Sequence, residues 1–590
     1  MTRRYQIPCE NAFLKPFCRL AEWIFGLRKI DLLHDGMAVL PPEMHFREKA
    51  LVQLGVGYDF DRERLERLPK EGPLVVVANH PFGGIEGIIL LSLLKRLRPD
   101  VKAMANYILG VFTEMKEDFI LVDPFAGKGS VAANLRPIKE SISWLKGGHV
   151  LIVFPAGEVS SLDLRRLRVR DKPWSPMIAS IVRKTNATVA PLYLPGRNTL
   201  FFQFAGLIHP ILRTILLPRQ MLRLKGKVIR VEIGSPLPPK TYAPHAGDDK
   251  RLILYFRFRS YLLAERKKRR LVLRHALQQE PIVEPEPLQT LLDELAALPP
   301  ERRLVDNGNL QVWCAPAKEI PHILREIGRL REITFRMVGE GTGNSIDLDE
   351  YDPYYWHMFL WNNEKQEIIG CYRIGLTDEI VREHGIQGLY IRSLFKFDQR
   401  LLNTIGPFAE MGRSFVRTEY QRAITSLPLL WKGIAVFMAR ARRYRTLMGP
   451  VSITNEYRQA SRCMMIRCLR HTCWMPELAR LVSSRIPPKK PLRAEWSLPE
   501  YDTFLHNIDQ VGEYVEEIEP NGYGIPILIN QYLKLAGRLI CFNLDPEFSS
   551  VVDGFIVVDL TQTPQRILKR YMGAELKGFY DYWHIPLETA

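Results

Sequence analysis

Across residues 50–235 the chain alternates short, β-branched apolar runs with longer stretches of helical spacing. LVVVAN, VLIVFPAG, ATVAPLYLPG and VIRVEIG read as strands, and SVAANLRPIKESISWLKGG reads as a helix between two of them. Strands that alternate with helices predict an α/β domain built on a largely parallel sheet. The pattern then breaks. Basic ERKKRRLVLR is followed by QQEPIVEPEPLQ, a proline-rich composition that predicts a semi-extended, exposed linker. A fresh pattern starts near Leu310 with LQVWCA, after which AKEIPHILREIGRLREITFR has helical spacing and further strands follow. The expected organisation is a first domain over 1–280, a linker over 281–305 and a second domain over 306–590. At 590 residues two cores are the prior.

No apolar run is long enough to span a bilayer without interruption. The nearest, TLFFQFAGLIHPILRTILLP, is broken by Gln203, His209, Pro210 and Arg213 and is followed by Arg219, Arg223, Lys225 and Lys227. Apolar and aromatic residues beside a cationic strip suit a segment lying in the headgroup layer, and equally an ordinary buried helix pair. NAFLKPFCRLAEWIFGLRKI near the N-terminus has the same amphipathic look. The expectation is peripheral attachment to a membrane surface.

Charge narrows the partners. Lys and Arg outnumber Asp and Glu by 82 to 65, a formal +17 that suits nucleic acid, anionic lipid or an acidic carrier protein. With no recognisable nucleic-acid motif, the first of these is set aside. Eight cysteines and no signal-peptide pattern predict a reducing compartment rather than a disulfide framework. Cys463, Cys468 and Cys473 lie five apart, which turns each about 140° from the last on a helix and matches no common zinc spacing. No metal is expected.

The chemistry concentrates at Asn79-His80-Pro81-Phe82-Gly83-Gly84-Ile85-Glu86-Gly87. An apolar strand delivers a histidine to a glycine turn, and a carboxylate opens the next apolar run. A neutral imidazole suits removal of a hydroxyl proton, and Glu86 can orient it through the other ring nitrogen. The glycines allow turn geometry and close approach of a substrate.

This stretch resembles the first motif of the glycerolipid (lysophosphatidate-type) acyltransferases. Leu121-Val122-Asp123-Pro124, Phe154-Pro155-Ala156-Gly157-Glu158 and Val189-Ala190-Pro191-Leu192 follow in the order of that family's later blocks. The resemblance implies that His80 and Glu86 are catalytic. It places Asn79, Gly83, Gly84, Phe154, Pro155 and Gly157 at the substrate. Two departures stand out. The acid is Glu and sits one place later than the family's Asp, and Pro124 and Val159 replace arginines that hold an acceptor's phosphate. Without those guanidinium groups a phosphate site is poorly built, so an acceptor without a phosphate is expected.

The second half resembles the N-acyltransferase branch of the GNAT superfamily, an α+β fold. The residues that carry this are Arg331 and Phe335, Asp349 and Asp352 in DLDEYD, Arg373 in GCYRIG, and Glu410 and Arg413 in FAEMGRSFV. The resemblance implies Glu410 as the group that takes a proton from an attacking α-amine. Arg331, Phe335, Asp349, Asp352, Arg373 and Arg413 would form the acceptor pocket or an ion-pair network that shapes the fold. RMVGEG at Arg336–Gly341 fits a pyrophosphate loop in form, but follows the first helix rather than the fourth strand. An acyl carrier protein thioester is therefore the expected donor, ahead of acyl-CoA, with no bound cofactor.

An O-acyltransferase ahead of an amino-acid N-acyltransferase resembles the bifunctional ornithine-lipid synthases. That implies N-acylation of ornithine with a 3-hydroxyacyl chain by the second domain, then O-acylation of the lyso-lipid hydroxyl by the first. The implied location is the cytoplasmic face of the inner membrane. Two alternatives stay open: a 1-acylglycerol-3-phosphate acyltransferase with a degenerate second domain, and a non-catalytic, hemolysin-like membrane-binding protein.

Overall fold

In a computed structural model of the chain, residues 26–123, 130–208, 210–266, 279–421, 423–489, 494–546, 548 and 550–586 are described. The N-terminal amphipathic stretch as far as residue 25, Pro124, Lys128, His209 and the basic run from residue 267 lie outside them. The described residues form two units: 26–266 with 494–504, and 279–489 with 505–586.

The first unit is an α/β fold. Its strands are β1 (Gly57–Phe60), β2 (Leu74–Ala78), β3 (Val101–Asn106), β4 (Phe119–Val122) and β5 (Val150–Val153). They continue with the hairpin β6 (Ser161–Asp163) and β7 (Arg168–Arg170), then β8 (Thr188–Tyr193) and β9 (Val228–Ile233). Seven of them form one sheet in the order β1-β9-β8-β2-β5-β3-β4, parallel throughout except between β8 and β9. Central strands β2 and β5 are buried along their whole length, which is why they read as unbroken apolar runs. Because β2, β5 and β8 are parallel neighbours, their C-terminal ends share one edge, where open α/β sheets form their sites. Helix α1 (Ile85–Leu94) leaves that edge. Helices α2 (Pro176–Thr185), the pair α3 (Leu200–Ile208) and α4 (Pro210–Leu222), and α5 (Asp249–Leu262) follow, and the helix expected between two strands spans Ser130–Lys146.

The second unit holds an eight-stranded sheet. Its strands are β10 (Arg303–Asn307), β11 (Leu310–Pro316), β12 (Trp356–Asn362) and β13 (Glu367–Leu376), with a two-residue strand β14 (Phe395–Lys396) set apart. Then come β15 (Phe408–Val416), β16 (Thr446–Ile453), the short β17 (Ser483–Ser484) that pairs with β14, β18 (Arg538–Asp545) and β19 (Val551–Asp559). The sheet order is β10-β11-β12-β13-β15-β16-β19-β18. Every pair in it is antiparallel except β15 and β16, whose parallel ladder runs from Phe408↔Thr446 only to Glu410↔Met448. Beyond Glu410 these two strands no longer pair, and Pro450 has no N–H to offer a ladder. Helix α6 (Leu288–Ala297) packs against α7 (Pro321–Met337), joining Leu291 and Leu298 to Ile323, Ile327 and Leu330 in one core.

Two boundaries differ from the sequence reading. Residues 281–305 are not a free linker. Their backbone is tied by Glu280 N–H to Gly343 O and Val283 N–H to Ser345 O, and Glu286 pairs with His322 and Arg325. The prolines keep this stretch extended, but the apolar side chains of α6 give it a core to join. Residues 494–504, read as part of the second domain, belong to the first unit. Trp496, Tyr501 and Phe504 have no exposed surface, and burying three such rings is a large stabilisation that composition does not reveal.

Candidate active sites

In the first unit, β2 ends in Ala78 and hands Asn79 and His80 to the turn before α1. His80 Nδ1 lies 3.1 Å from Glu86 Oε1. The Gly83-Gly84 turn wraps the Glu86 carboxylate. Oε1 also accepts N–H bonds from Phe82 (2.6 Å) and Gly83 (2.9 Å), and Oε2 accepts one from Gly84 (2.9 Å). Gly83 (φ +92) and Gly84 (φ +148) take backbone conformations that favour glycine, so the turn closes on the longer acid one place later. Burial works to raise the Glu86 carboxyl, but the His80 imidazole and the backbone donors outweigh it and hold the group at about 2. Burial likewise works to lower His80, and the charges of Glu86 and Asp171 with the Glu86 hydrogen bond raise it overall. An ionised Glu86 receives the proton of Nδ1, which leaves Nε2 as the basic nitrogen. The His80 ring stacks on Phe154 at 4.5 Å.

The backbone of His80 is held as firmly as its ring. Its N–H donates to Asp171 Oδ1 (3.3 Å), and its carbonyl accepts from the N–H of Ser160 (2.8 Å). Asp171 also accepts from the Ser160 hydroxyl and from Trp174 Nε1.

Three residues expected at the substrate have structural duties here. Asn79 is buried and exchanges two hydrogen bonds with the backbone of Leu194, tying β2 to the end of β8. Pro155 is buried, and its carbonyl accepts from Ser175 N–H. Gly157 (φ +67) closes a turn onto the carbonyl of Phe154. Val159 faces the histidine turn: a Cβ built on Gly83 would come within 2.6 Å of Val159 Cγ2 and 2.4 Å of Leu217 Cδ2 on α4. Leu217 of α4 therefore packs over the turn, and α3 packs against α4. Arg166 pairs with Glu500 at 3.3 Å.

In the second unit Glu410 sits on β15 at the last rung before β15 and β16 part. It is buried, with Oε2 accepting from the Tyr355 hydroxyl (2.8 Å) and Oε1 from Ile391 N–H (2.7 Å). Tyr355 in turn accepts from Tyr390 N–H at 2.9 Å. Burial dominates and pushes the Glu410 carboxyl up to about 7 against those donors, the range in which a carboxylate serves as a base at neutral pH.

Around it runs an ion-pair network. Arg373 pairs with Asp349 and with Asp352 (3.1 Å), and its guanidinium lies over the rings of Tyr351, Tyr355 and Tyr390. Arg331 pairs with Asp347 (3.0 Å) and Asp352 (2.8 Å). Arg331 and Asp352 are completely or almost completely buried, and Phe335 packs in the core beneath. Of the two roles left open for these three, acceptor pocket or a network that shapes the fold, their burial favours the second. A pair of this kind is retained because either partner alone would be an uncompensated buried charge.

Arg413 and Asp349 reach further out. Arg413 is non-glycine at φ +47 in the middle of β15, where the pairing with β13 shifts register between Cys371 and Arg373. Such a conformation costs about 1–3 kcal/mol and clusters at functional positions. The irregularity aims the guanidinium at Asp347 (3.3 Å) and Asp349 (3.5 Å). It also lines a cavity of about 380 Å³ together with Thr342, Tyr390, Asn543, Asp545 and Phe548. Tyr355, Tyr390, Asp347 and Asp171 are missing from the sequence reading. The tyrosine-rich YDPYYW beside Asp352 was the available signal for the first. Arg336 of the RMVGEG stretch spends its guanidinium on Glu332 and on the carbonyls of Glu280 and Asn344.

Comparison with known proteins follows the same division. Residues 27–268 match an acyltransferase family model, and residues 330–432 match an acetyltransferase (GNAT) domain. A glycine N(alpha)-acyltransferase of Bacteroides thetaiotaomicron is 30% identical over 52% of this chain and 95% of its own. Another, of Phocaeicola vulgatus, is 31% identical over 41% of this chain and 76% of its own. A lyso-glycine lipid O-acyltransferase of Phocaeicola vulgatus is 28% identical over 30% of this chain and 64% of its own.

Proposed function

The chain belongs to the family of the glycine N(alpha)-acyltransferases and carries a further acyltransferase domain, and on that premise we propose that it is a bifunctional aminolipid synthase. The second unit joins a 3-hydroxyacyl chain to the α-amine of an amino acid. The first then acylates the 3-hydroxyl of that lyso-lipid. The observation that carries the proposal is the presence of two separate candidate bases: His80, held by Glu86 at 3.1 Å, and the buried Glu410, raised to about 7.

In the first step the amine nitrogen attacks the thioester carbonyl. The C–N bond forms, the C–S bond breaks, and Glu410 takes the ammonium proton, directly or through water, for the departing thiolate. The parallel ladder of β15 and β16 ends at Glu410, and an extended, amide-bearing donor arm would pair along the strands beyond it. In the second step His80 takes the hydroxyl proton as the oxygen attacks, and returns it to the leaving thiolate. An acyl carrier protein is the donor we favour. The formal +17 suits an acidic carrier, and Arg336 is already engaged and cannot hold a pyrophosphate.

The named relatives act on glycine; for this chain we propose ornithine. In support, the cavity lined by Tyr390 carries Arg413, which suits an α-carboxylate, and Asp545, which suits a second ammonium group. Val159 and Pro124 in place of arginines favour an O-acyl acceptor without a phosphate. Two lost charge-assisted contacts, at about 1.5–3 kcal/mol each, amount to about 100-fold or more in acceptor preference. The test is the purified full chain with a 3-hydroxyacyl carrier-protein thioester. Ornithine should be N-acylated faster than glycine at equal concentration. The resulting lyso-lipid should be O-acylated about 100-fold faster than lysophosphatidate. Equal or better use of lysophosphatidate sinks the aminolipid reading in favour of a phospholipid acyltransferase.

The chain would work at the cytoplasmic face of the inner membrane, peripherally attached. Among the described residues no helix is long and apolar enough to cross a membrane. Support for attachment comes from α3, where Leu200, Phe201, Phe204, Leu207 and Ile208 are 45–80% exposed. Their spacing puts them on one face of this helix, which packs against α4. Phe201→Asp with Phe204→Asp should weaken binding to anionic vesicles by about 100-fold or more, since each buried ring contributes about 1.5–3 kcal/mol. Unchanged vesicle binding by that double variant rules out α3 as the contact.

A further inference from the structure

Residues 494–504 complete the first unit although in the chain they fall between the two stretches of the second. Their first charged side chain, Glu495, is buried, and its carboxylate is the hub of three guanidinium groups. Oε2 pairs with Arg168, and Oε1 pairs with Arg170 (2.5 Å) and Arg257 (3.1 Å). Arg168 and Arg170 are on β7, the strand that runs directly into Asp171. Arg257 is on α5, is itself buried, and donates to the backbone carbonyls of Asp171 and Lys172, at 2.9 Å each. Asp171 then holds the N–H of His80.

The rest of the segment anchors this grip. Phe504 packs on His245, Tyr255 and Phe258, Tyr501 packs on Phe258, and Thr503 accepts from Arg251. Glu500 adds contacts to Arg166 and, at 3.7 Å, to Arg170. Unlike exposed ion pairs, a buried carboxylate shared by three arginines has large consequences when removed, because the positive charges are then left together without their shared counter-charge.

We propose that Glu495, supplied by the C-terminal part of the chain, is a positioning residue for O-acyl transfer: through Arg257 and Asp171 it holds the backbone that presents His80. This rests on the reading of His80 as the base of the first site. Glu495 touches no reacting atom, so its loss misplaces the base and leaves the acceptor's own contacts in place. Displacing a base by about 1 Å can cost about 100-fold in rate. The first activity would then depend on a stretch encoded beyond residue 490, so a chain ending near residue 280 lacks part of that site.

The experiment uses the full chain and reads both acyl transfers. Glu495→Ala should lower kcat for O-acylation of a mono-acylated amino-acid lipid by about 10- to 100-fold. KM for that lipid should stay within about twofold, and N-acylation should stay at the parent rate. Glu495→Asp should recover part of the lost kcat. His80→Ala is assayed alongside. If His80→Ala abolishes O-acylation while Glu495→Ala keeps the parent kcat, the positioning role is overturned. O-acylation that survives His80→Ala overturns instead the reading of the base. Should Glu495→Ala not fold, Arg257→Lys replaces it. A lysine keeps the charge beside Glu495 but cannot span that carboxylate and two carbonyls at once, so the same fall in kcat is expected and a parent kcat is again the overturning result.

Discussion

His80→Ala abolishes O-acylation and spares N-acylation, so a mono-acylated amino-acid lipid accumulates where the parent chain makes the diacyl product. A general base of this kind contributes about 10²- to 10⁴-fold. His80 has one partner for Nδ1, Glu86, whose carboxylate is in turn committed to the N–H groups of Phe82, Gly83 and Gly84. The ring therefore has one orientation and Nε2 one task. Because the charges of Glu86 and Asp171 raise His80, the protonated, inactive form persists to higher pH than for an ordinary histidine. O-acylation should thus rise with pH through a midpoint above about 6.5. Glu86→Gln removes the negative charge, so its residual activity should have a lower midpoint as well as a lower plateau. Lipid extracts and a pH–rate profile with added lyso-lipid measure both. Normal diacyl product from His80→Ala removes the histidine from the mechanism.

Glu410→Gln stops the first transfer, by about 10²- to 10⁴-fold, and added mono-acylated lipid restores the diacyl product. Glutamine keeps the shape of the buried side chain and loses the proton acceptor. The pH dependence is distinctive. N-acylation should rise as pH climbs through about 7, where Glu410 ionises, rather than near the usual carboxylate range. Burial sets that value and the Tyr355 hydroxyl moderates it, so Tyr355→Phe should move the midpoint higher still. An acid limb near pH 4–5 in the parent chain would mean that Glu410 is not the group that titrates. A normal rate of mono-acyl lipid formation by Glu410→Gln would remove it from the reaction altogether.

The pair of bases differs in how far it could be foreseen. His80 and Glu86 lie six residues apart across one strand, one turn and the first turn of one helix. Strand delivery, glycine turn and acid are all local, and local patterns are written in adjacent residues. The parallel first sheet was legible for the same reason, since runs such as LVVVA must be covered on both faces. Glu410 could be singled out only by resemblance. Its raised pKa comes from burial in the surrounding core, held in check by hydrogen bonds from Tyr355 and Ile391, which lie 55 and 19 residues away.

Which charged residues of DLDEYD, GCYRIG and the first helix meet an acceptor was likewise decided by packing. Arg331 and Arg413 are the same residue type within one network. One is fully buried against Asp347 and Asp352, while the other is turned into a cavity by an irregular strand. No local pattern separates them, because burial is a property of what the rest of the chain places on top. The largest departure has the same origin. AEWSLPEYDTF carries no motif, and its assignment to the first unit depends on Arg168, Arg170 and Arg257, some 240 to 330 residues earlier. By itself the sequence determined the first fold and the histidine turn, for which periodicity and short spacing suffice, while the second fold and the acyl-transfer chemistry were legible through family resemblance. Only the tertiary structure decided which charges are framework, where Glu410 titrates and which stretch of chain completes the first site, because those depend on desolvation and on contacts between distant residues.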